Sequence, residues 1–205
     1  GLLVSGGHSI TARVRGFDGL EVLGTTIDDS VGEAFDKVAR AIGLGYPGGP
    51  KIEKAAHEGN PYAIEFTRPK VSDGVYDFSF SGLKSQVLNY INGAHMKGES
   101  VNEADIAASF QQTVIDTLCE HASLAIDEFA MDKFAIAGGV ASNQTLRKAM
   151  EEMCQKKGVK FYHPSPILCT DNAAMIGAAA YYEYLAGRRD GWDLNAIPNL
   201  KLGER

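Results

Sequence analysis

Residues 2–9 read Leu2-Leu3-Val4-Ser5-Gly6-Gly7-His8-Ser9, three apolar residues running straight into a Ser-Gly-Gly turn. A short apolar run that stops at paired glycines is the pattern of a buried strand delivering a tight turn. Without Cβ atoms the glycines let the backbone approach another group closely, and a nest of N–H groups in such a turn suits a phosphate. The pattern returns at Phe134-Ala135-Ile136-Ala137-Gly138-Gly139, where Asn143 opens a helix. One such unit says little. Two, far apart in the chain, point to two walls of one cleft.

Working outward, residues 9–15 alternate: Ile10, Ala12 and Val14 on one side, Thr11, Arg13 and Arg15 on the other. That predicts a half-buried strand. Gly16-Phe17-Asp18-Gly19 is a turn, and residues 20–26 return as a third strand. Asp28-Asp29-Ser30 offers helix caps. Val31, Phe35, Val38 and Ile42 then fall at helical spacing, with Glu33 and Lys37 paired outside, and Gly43 and Gly45 end the helix. The chain therefore opens βββα. Tyr46-Pro47-Gly48-Gly49-Pro50 reads as a rigid loop, followed by a short helix over residues 51–58. Residues 59–81 are irregular. Ser81 is the expected cap of a helix to about Ile91, with a loop over residues 93–98. Asn102 caps a long helix to about Phe129, with Ile106, Phe110, Val114, Leu118 and Leu124 inward. Residues 50–130 form a mainly helical insertion on this reading. A strand at 133–137 follows, then a helix at 143–157 closed by Gly158, a strand at 159–162, and a helix from Thr170 or Asp171 to about Leu185. The small residues of that last helix (Ala173, Ala174, Gly177, Ala178) suit close packing on a neighbour. A mixed-sheet α/β domain ending βαβα is the expected architecture.

Composition narrows the function. The 205 residues are 44% hydrophobic, enough for a real core. No apolar run approaches a membrane span. Cys119, Cys154 and Cys169 have no metal spacing and fit a reducing compartment. The net charge of −6 argues against strong nucleic-acid binding by this chain alone. The local basic groups (Arg68 with Lys70, Arg147 with Lys148, Lys156 with Lys157 and Lys160, Arg188 with Arg189) read as solvated helix faces and loop ends. The chain opens on its key strand with no initiator methionine, so a fragment lacking an upstream region is expected.

Several residues are candidates for chemistry, each with a plain structural alternative. Ser5-Gly6-Gly7 is a phosphate nest or a turn that needs positive φ. Gly138-Gly139 accepts a flat nucleoside or simply packs a helix closely on a strand. Asp36 is a ribose ligand or a solvated carboxylate. Gly49 is a point of ligand approach or a turn. Asn143 caps its helix, with any ligand contact additional. Asp171 stands where a carboxylate is stable beside a helix dipole, and is a metal ligand only if others arrive from elsewhere. The five histidines show no paired spacing, and no Ser-His-Asp, P-loop or HExxH pattern is present.

LLVSGGHS, IDDSVGEAFDKVARAIGLGYPGGP, DFSFSGLKS, AIAGGVASNQTLR and CTDNAAMIG, in this order, resemble the catalytic-subunit family of the tRNA threonylcarbamoyladenosine synthase, bacterial TsaD, formerly called glycoprotease or O-sialoglycoprotein endopeptidase. The similarity runs from residue 2 to about residue 185. It implies the actin, sugar-kinase and Hsp70 fold, a ribonuclease H-like lobe, with residues 1–205 as a single C-terminal lobe and the N-terminal lobe absent. It implies transfer of threonylcarbamoyl from threonylcarbamoyl-adenylate to the exocyclic amine of the adenosine 3′ of the anticodon in tRNA. Leu3, Val4, Ser5, Gly6, Gly7, Asp36, Gly49 and Asn143 fall on its substrate-binding positions and Asp171 on a metal ligand. The metal is iron or zinc, adenylate or ATP is the ligand, and magnesium is a possible companion ion. The implied partners are tRNA and the proteins TsaB and TsaE, with no membrane, in the cytoplasm. The HxxxH motif that supplies two further metal ligands in the family is absent from these residues, so the resemblance implies a fragment inactive alone. The rivals are an ATPase or sugar kinase of the same fold, a non-catalytic assembly subunit, and the protease of the old name, for which no constellation is visible.

Overall fold

The structure, a computed structural model, describes residues 1–17, 19–68, 71, 74–198, 200 and 202. Asp18 in the first turn, Pro69, and Lys70 of the basic pair lie outside the described residues. The elements run β1 (Leu2–Val4), β2 (Ser9–Val14), β3 (Leu20–Thr25), α1 (Val31–Ala41), α2 (Gly48–Ala56), α3 (Ser81–Met96), α4 (Glu103–Glu128), β4 (Lys133–Ala137), α5 (Gln144–Lys157), β5 (Lys160–Tyr162) and α6 (Ala173–Leu185). The strands form one five-stranded sheet in the order β3-β2-β1-β4-β5. The first three are an antiparallel meander, as expected, while β4 and β5 join β1 in parallel. The sheet is mixed and the class is α/β.

One core joins sheet and helices. Leu2, Val4, Phe35, Val38, Ile52, Phe78, Phe80, Leu83, Phe110, Leu118, Ile136, Leu146 and Met150 belong to a single buried cluster. The helices α2, α3 and α4 of the expected insertion share it with β1 and β4. At 26 residues α4 spans about 39 Å, and it presents Ile106, Phe110, Val114 and Leu118 inward. Phe110 meets the Phe35 ring edge-on at 5.2 Å. Leu124 departs from the expectation, 43% exposed, because the inner face of α4 there is carried by Ala122, Ala125 and Ile126, all buried. In β2 both faces are covered, Thr11 as well as Ile10 and Ala12, whereas Val14 is exposed. All three cysteines are free thiols, and Cys119 is pushed up to about 12 by burial, then by the charge of Asp116 and by Cys154.

Helix ends differ from the sequence reading where the capping partner is remote. The helix α2 begins at Gly48, not 51, because the Asp36 carboxylate accepts the Gly48 N–H at 2.6 Å. The helix α3 continues through Gly93 to Met96, so the loop expected from 93 starts only at Lys97. Asn172, and neither Thr170 nor Asp171, caps α6 by accepting the Met175 N–H. No residue of α6 is buried, so its small side chains pack on no neighbour among the described residues. No described helix is long and apolar enough to cross a membrane.

The stretch from Asp77 to Ser81 is tied to the edge strand. Asp77 accepts the Thr25 N–H, and Phe78 exchanges backbone bonds with Thr25 and Ile27. Ser81 does not cap α3 with its own side chain. Instead Asp28 accepts from the Phe80 N–H, the Ser81 N–H and the hydroxyls of Ser79 and Ser81. Burial works against the Asp28 charge, but the two hydroxyls and two N–H groups outweigh it and hold its carboxyl below the ordinary value. A depressed carboxyl stabilises the fold above its unfolded pKa, and loses that effect as pH falls through its folded value. Asp28→Ala should therefore cost about 1 kcal/mol in urea denaturation at neutral pH. The gap from wild type should narrow as the titration is repeated at pH values progressively below the ordinary aspartate range.

Candidate functional site

Because β1 and β4 are parallel neighbours, with Leu2 beside Ile136 and Leu3 beside Ala137, the two glycine turns emerge side by side. Around them lies a cleft of about 390 Å³. It is lined by Gly6 from the first turn, Asp36 from α1, Gly49 and Glu53 from α2, Gly139, Val140 and Asn143 from the second turn, and Thr170 before α6. Four stretches singled out in the sequence thus meet at one place.

The glycines divide by what a side chain would strike. At Gly138, with φ of 94° and ψ of 168°, a Cβ would stand 2.3 Å from the Val4 carbonyl oxygen, so this glycine serves strand packing. Gly32 and Gly48 are likewise pressed against backbone, of Ser5–Gly6 and of Phe35–Asp36. Gly49 precedes Pro50, a local reason to omit a side chain in a helix. Gly6 and Gly139 are different. Neither has positive φ; a Cβ on Gly6 would meet nothing within 4 Å, and one on Gly139 only the Thr170 methyl at 3.9 Å. The fold itself does not demand these two glycines, and both face the cleft.

The first turn is less open than a nest. The Ser5 N–H bonds the His8 carbonyl at 2.8 Å, and the Ser5 hydroxyl accepts from the Gly7 and His8 N–H groups. The carbonyls of Ser5 and Gly6 are taken by the Gly32 N–H and the Ser30 hydroxyl at the start of α1. Among the described residues only the Gly6 N–H of this turn is left for a ligand. The positive φ expected as the structural alternative is absent at Gly6 and Gly7.

The beginnings of α1, α2 and α5 all border the cleft. Their dipoles favour negative charge, each by about 0.3–1 kcal/mol at an exposed site. No Lys or Arg among the described residues lines it. The charged groups present are Asp36 and Glu53, and each holds a helix start. Asp36 accepts from Gly48, and Glu53 accepts the Gln144 N–H at 2.6 Å. One oxygen of each carboxylate has no partner among the described residues. Such oxygens can accept hydroxyl groups, which suits a diol. Asn143 is buried and committed at both ends: its oxygen caps the Leu146 N–H at 2.8 Å, and its amide donates to Gln111 at 2.8 Å.

Leu3 and Val4 lie on β1 below the cleft, Val4 fully buried. Asp171 is exposed and outside the lining, next to Thr170. Among the described residues no group of three His, Cys, Asp or Glu side chains could hold a metal ion. One exposed carboxylate is not a metal site, so the residues present do not fit a bound metal by themselves. Sequence reasoning missed Glu53 and Thr170. The signal for Glu53 was its spacing, four residues after Gly49 on the same helix face. Another cavity of about 330 Å³, lined by Arg13, Phe129 and Tyr162 among others, collects none of the predicted residues.

Residues 1–178 match the family described as TsaD: tRNA N6-adenosine threonylcarbamoyltransferase. A tRNA N6-adenosine threonylcarbamoyltransferase of Clostridium botulinum is 58% identical over 204 residues, 100% of this chain and 60% of that protein. Its counterpart in Clostridium perfringens is 55% identical over 204 residues with the same coverage. The chain thus spans 60% of the length of these curated relatives. Among solved structures, HypF of T. kodakarensis gives a TM-score of 0.60 at 21% identity, over 82% of this chain and 21% of that one. Full-length HypF in the phosphate- and nucleotide-bound form gives 0.55 at 23% identity, over 77% and 20%. The likeness is one of fold, an actin-like α/β lobe.

The two classes of glycine should separate in a melting experiment. Gly138→Ala forces a side chain into a backbone region open only to glycine and onto the Val4 carbonyl, and should cost about 3 kcal/mol or more. Gly6→Ala should change stability by less than about 0.5 kcal/mol.

Proposed function

The chain belongs to the TsaD family of tRNA N6-adenosine threonylcarbamoyltransferases, and from that premise we propose that it forms the nucleotide-binding lobe of an acyltransferase. The reaction is transfer of threonylcarbamoyl from threonylcarbamoyl-adenylate to the exocyclic amine of the tRNA adenosine 3′ of the anticodon. The amine nitrogen attacks the carbamoyl carbon, the bond from that carbon to the adenylate oxygen breaks, AMP leaves and the amine gives up a proton.

The observation that carries this reading is the cleft wall with glycines the fold does not require. A flat adenine ring can lie against the bare backbone at Gly139. Gly6 allows the phosphate to approach the one free N–H of its turn and the start of α1. The spare oxygens of Asp36 and Glu53 can accept the ribose hydroxyls. Gly49 leaves room beside them, and Asn143 fixes the second turn through its cap. Leu3, Val4, Ser5 and Gly7 act by shaping the first turn rather than by touching the ligand. Leaving AMP carries its charge toward three helix starts, an electrostatic stabilisation of the group that departs.

The remaining assignments follow from the family. Asp171 is one ligand of an iron or zinc ion whose other ligands come from a second lobe, magnesium accompanies an ATP-type ligand, and the other 40% of the relatives' length supplies that lobe. The exposed, apolar α6 supports a lobe that does not stand alone. The protein works in the cytoplasm on tRNA with TsaB and TsaE. The acidic balance of this chain agrees with tRNA contacts made mainly elsewhere.

Two measurements test the proposal. Nucleoside analysis of tRNA from cells lacking the gene should show loss of threonylcarbamoyladenosine; an unchanged level would reject the activity. Calorimetric titration of this chain should show saturable binding of AMP in preference to GMP, abolished by Gly6→Val with the melting midpoint kept. Equal binding of GMP, or indifference to Gly6→Val, would reject the adenosine cleft.

A further inference from the structure

The sequence places Arg147 beside Lys148 as a basic pair on a solvated helix face. Lys148 is exposed, but Arg147 is half-buried and both its Nε and its Nη2 are engaged. It lies in the first turn of α5 and reaches back past the helix start, as long helical side chains do. Its Nε donates to the Ala141 carbonyl, inside the turn that carries Gly139 and Asn143. Its Nη2 donates to the Pro164 carbonyl at 2.9 Å and to the Cys169 sulfur at 3.1 Å. Cys169 is 5% exposed and in turn bonds the Ser165 carbonyl.

These partners sit on two separate walls. Ala141 belongs to the glycine turn after β4. Pro164 and Cys169 belong to the connection from β5 to α6, which puts Thr170 into the cleft opposite Gly139. The Cys169 side chain joins the core, but beyond its bonds to Arg147 that connection makes no other hydrogen bond to the rest of the lobe among the described residues. The helix beyond it buries no residue, and its ring contact with the lobe is Tyr182 against Phe17 at 5.1 Å. The guanidinium is a rigid planar fork whose donors sit on separate nitrogens and so span two segments, whereas an ammonium offers its three donors from a single atom.

We propose that Arg147 is a positioning residue that sets the width of the cleft by clamping the segment bearing Thr170 to the glycine turn bearing Gly139. The effect on a ligand rests on the nucleotide reading of the cleft, whereas the clamp itself does not. Hydrogen–deuterium exchange on this chain tests it, comparing wild type with Arg147→Gln and Arg147→Lys, each also titrated with AMP. Arg147→Gln should speed exchange over residues 163–172 by about tenfold, leave the second half of α5 near wild type, and weaken AMP binding about five- to tenfold. Arg147→Lys should restore stability but not the protection of residues 163–172. Unchanged exchange over those residues would overturn the clamp. Equal loosening of the whole of α5 would reduce Arg147 to ordinary helix support and overturn it too. If wild type binds no AMP, the nucleotide reading fails by itself, and the exchange data still decide the clamp.

Discussion

The contact on which the site depends is the one between Gly138 and Val4. There the backbone of β4, as it leaves the sheet, passes so close to the carbonyl of β1 that no side chain fits between them. That approach brings the ends of two central parallel strands together, and with them the two turns whose glycines form the wall of the cleft. Gly6 and Gly139 are neighbours only because Gly138 carries no Cβ. The second glycine pair therefore splits its duties, one residue closing the sheet and the other left bare toward the cleft.

A second regularity is the use of remote carboxylates at helix starts. Asp28 caps α3, Asp36 caps α2, and Glu53 holds the first N–H of α5. Each links segments distant in the chain, so each fixes the relation of two elements as well as an end. At the cleft this leaves anionic groups half-used. One oxygen is held by backbone, which orients the other without the entropic cost of freezing a free side chain. Rigid acceptors beside bare backbone discriminate ligands by shape and hydroxyl pattern more than by charge.

The sequence was most legible where structure is local. The meander, α1, α4 and α5 follow from periods of two and 3.6, and Val31, Phe35, Val38 and Ile42 all turned inward as the spacing requires. Gly158 closes α5 in the left-handed region, as read. What failed was decided across the chain. The Pro-Gly-Gly-Pro stretch looks like loop until Asp36 is seen to cap it. Gly93 looks like a breaker but lies inside α3. Ser81 looks like a cap but is the donor to Asp28. At the cleft, Gly6, Asp36, Gly49 and Asn143 were legible as candidates. Glu53 and Thr170 were not, because spacing from Gly49 puts Glu53 on a shared face but does not by itself separate an inward Glu on a short helix from a solvated one. Arg147 was misread for the same reason.

The pairing of residue 2 with residue 136 has a consequence for how the chain acquires its structure. The parallel neighbour of this three-residue central strand emerges only after four helices have been made. The meander and the helices rest on short-range contacts, but the closure that joins β1 to β4 spans most of the chain and carries the entropy of a long loop. Until β4 arrives, the meander lacks the parallel partner of β1. The cleft forms late, and in that interval α1 already holds the carbonyls of Ser5 and Gly6 in the turn just beyond β1.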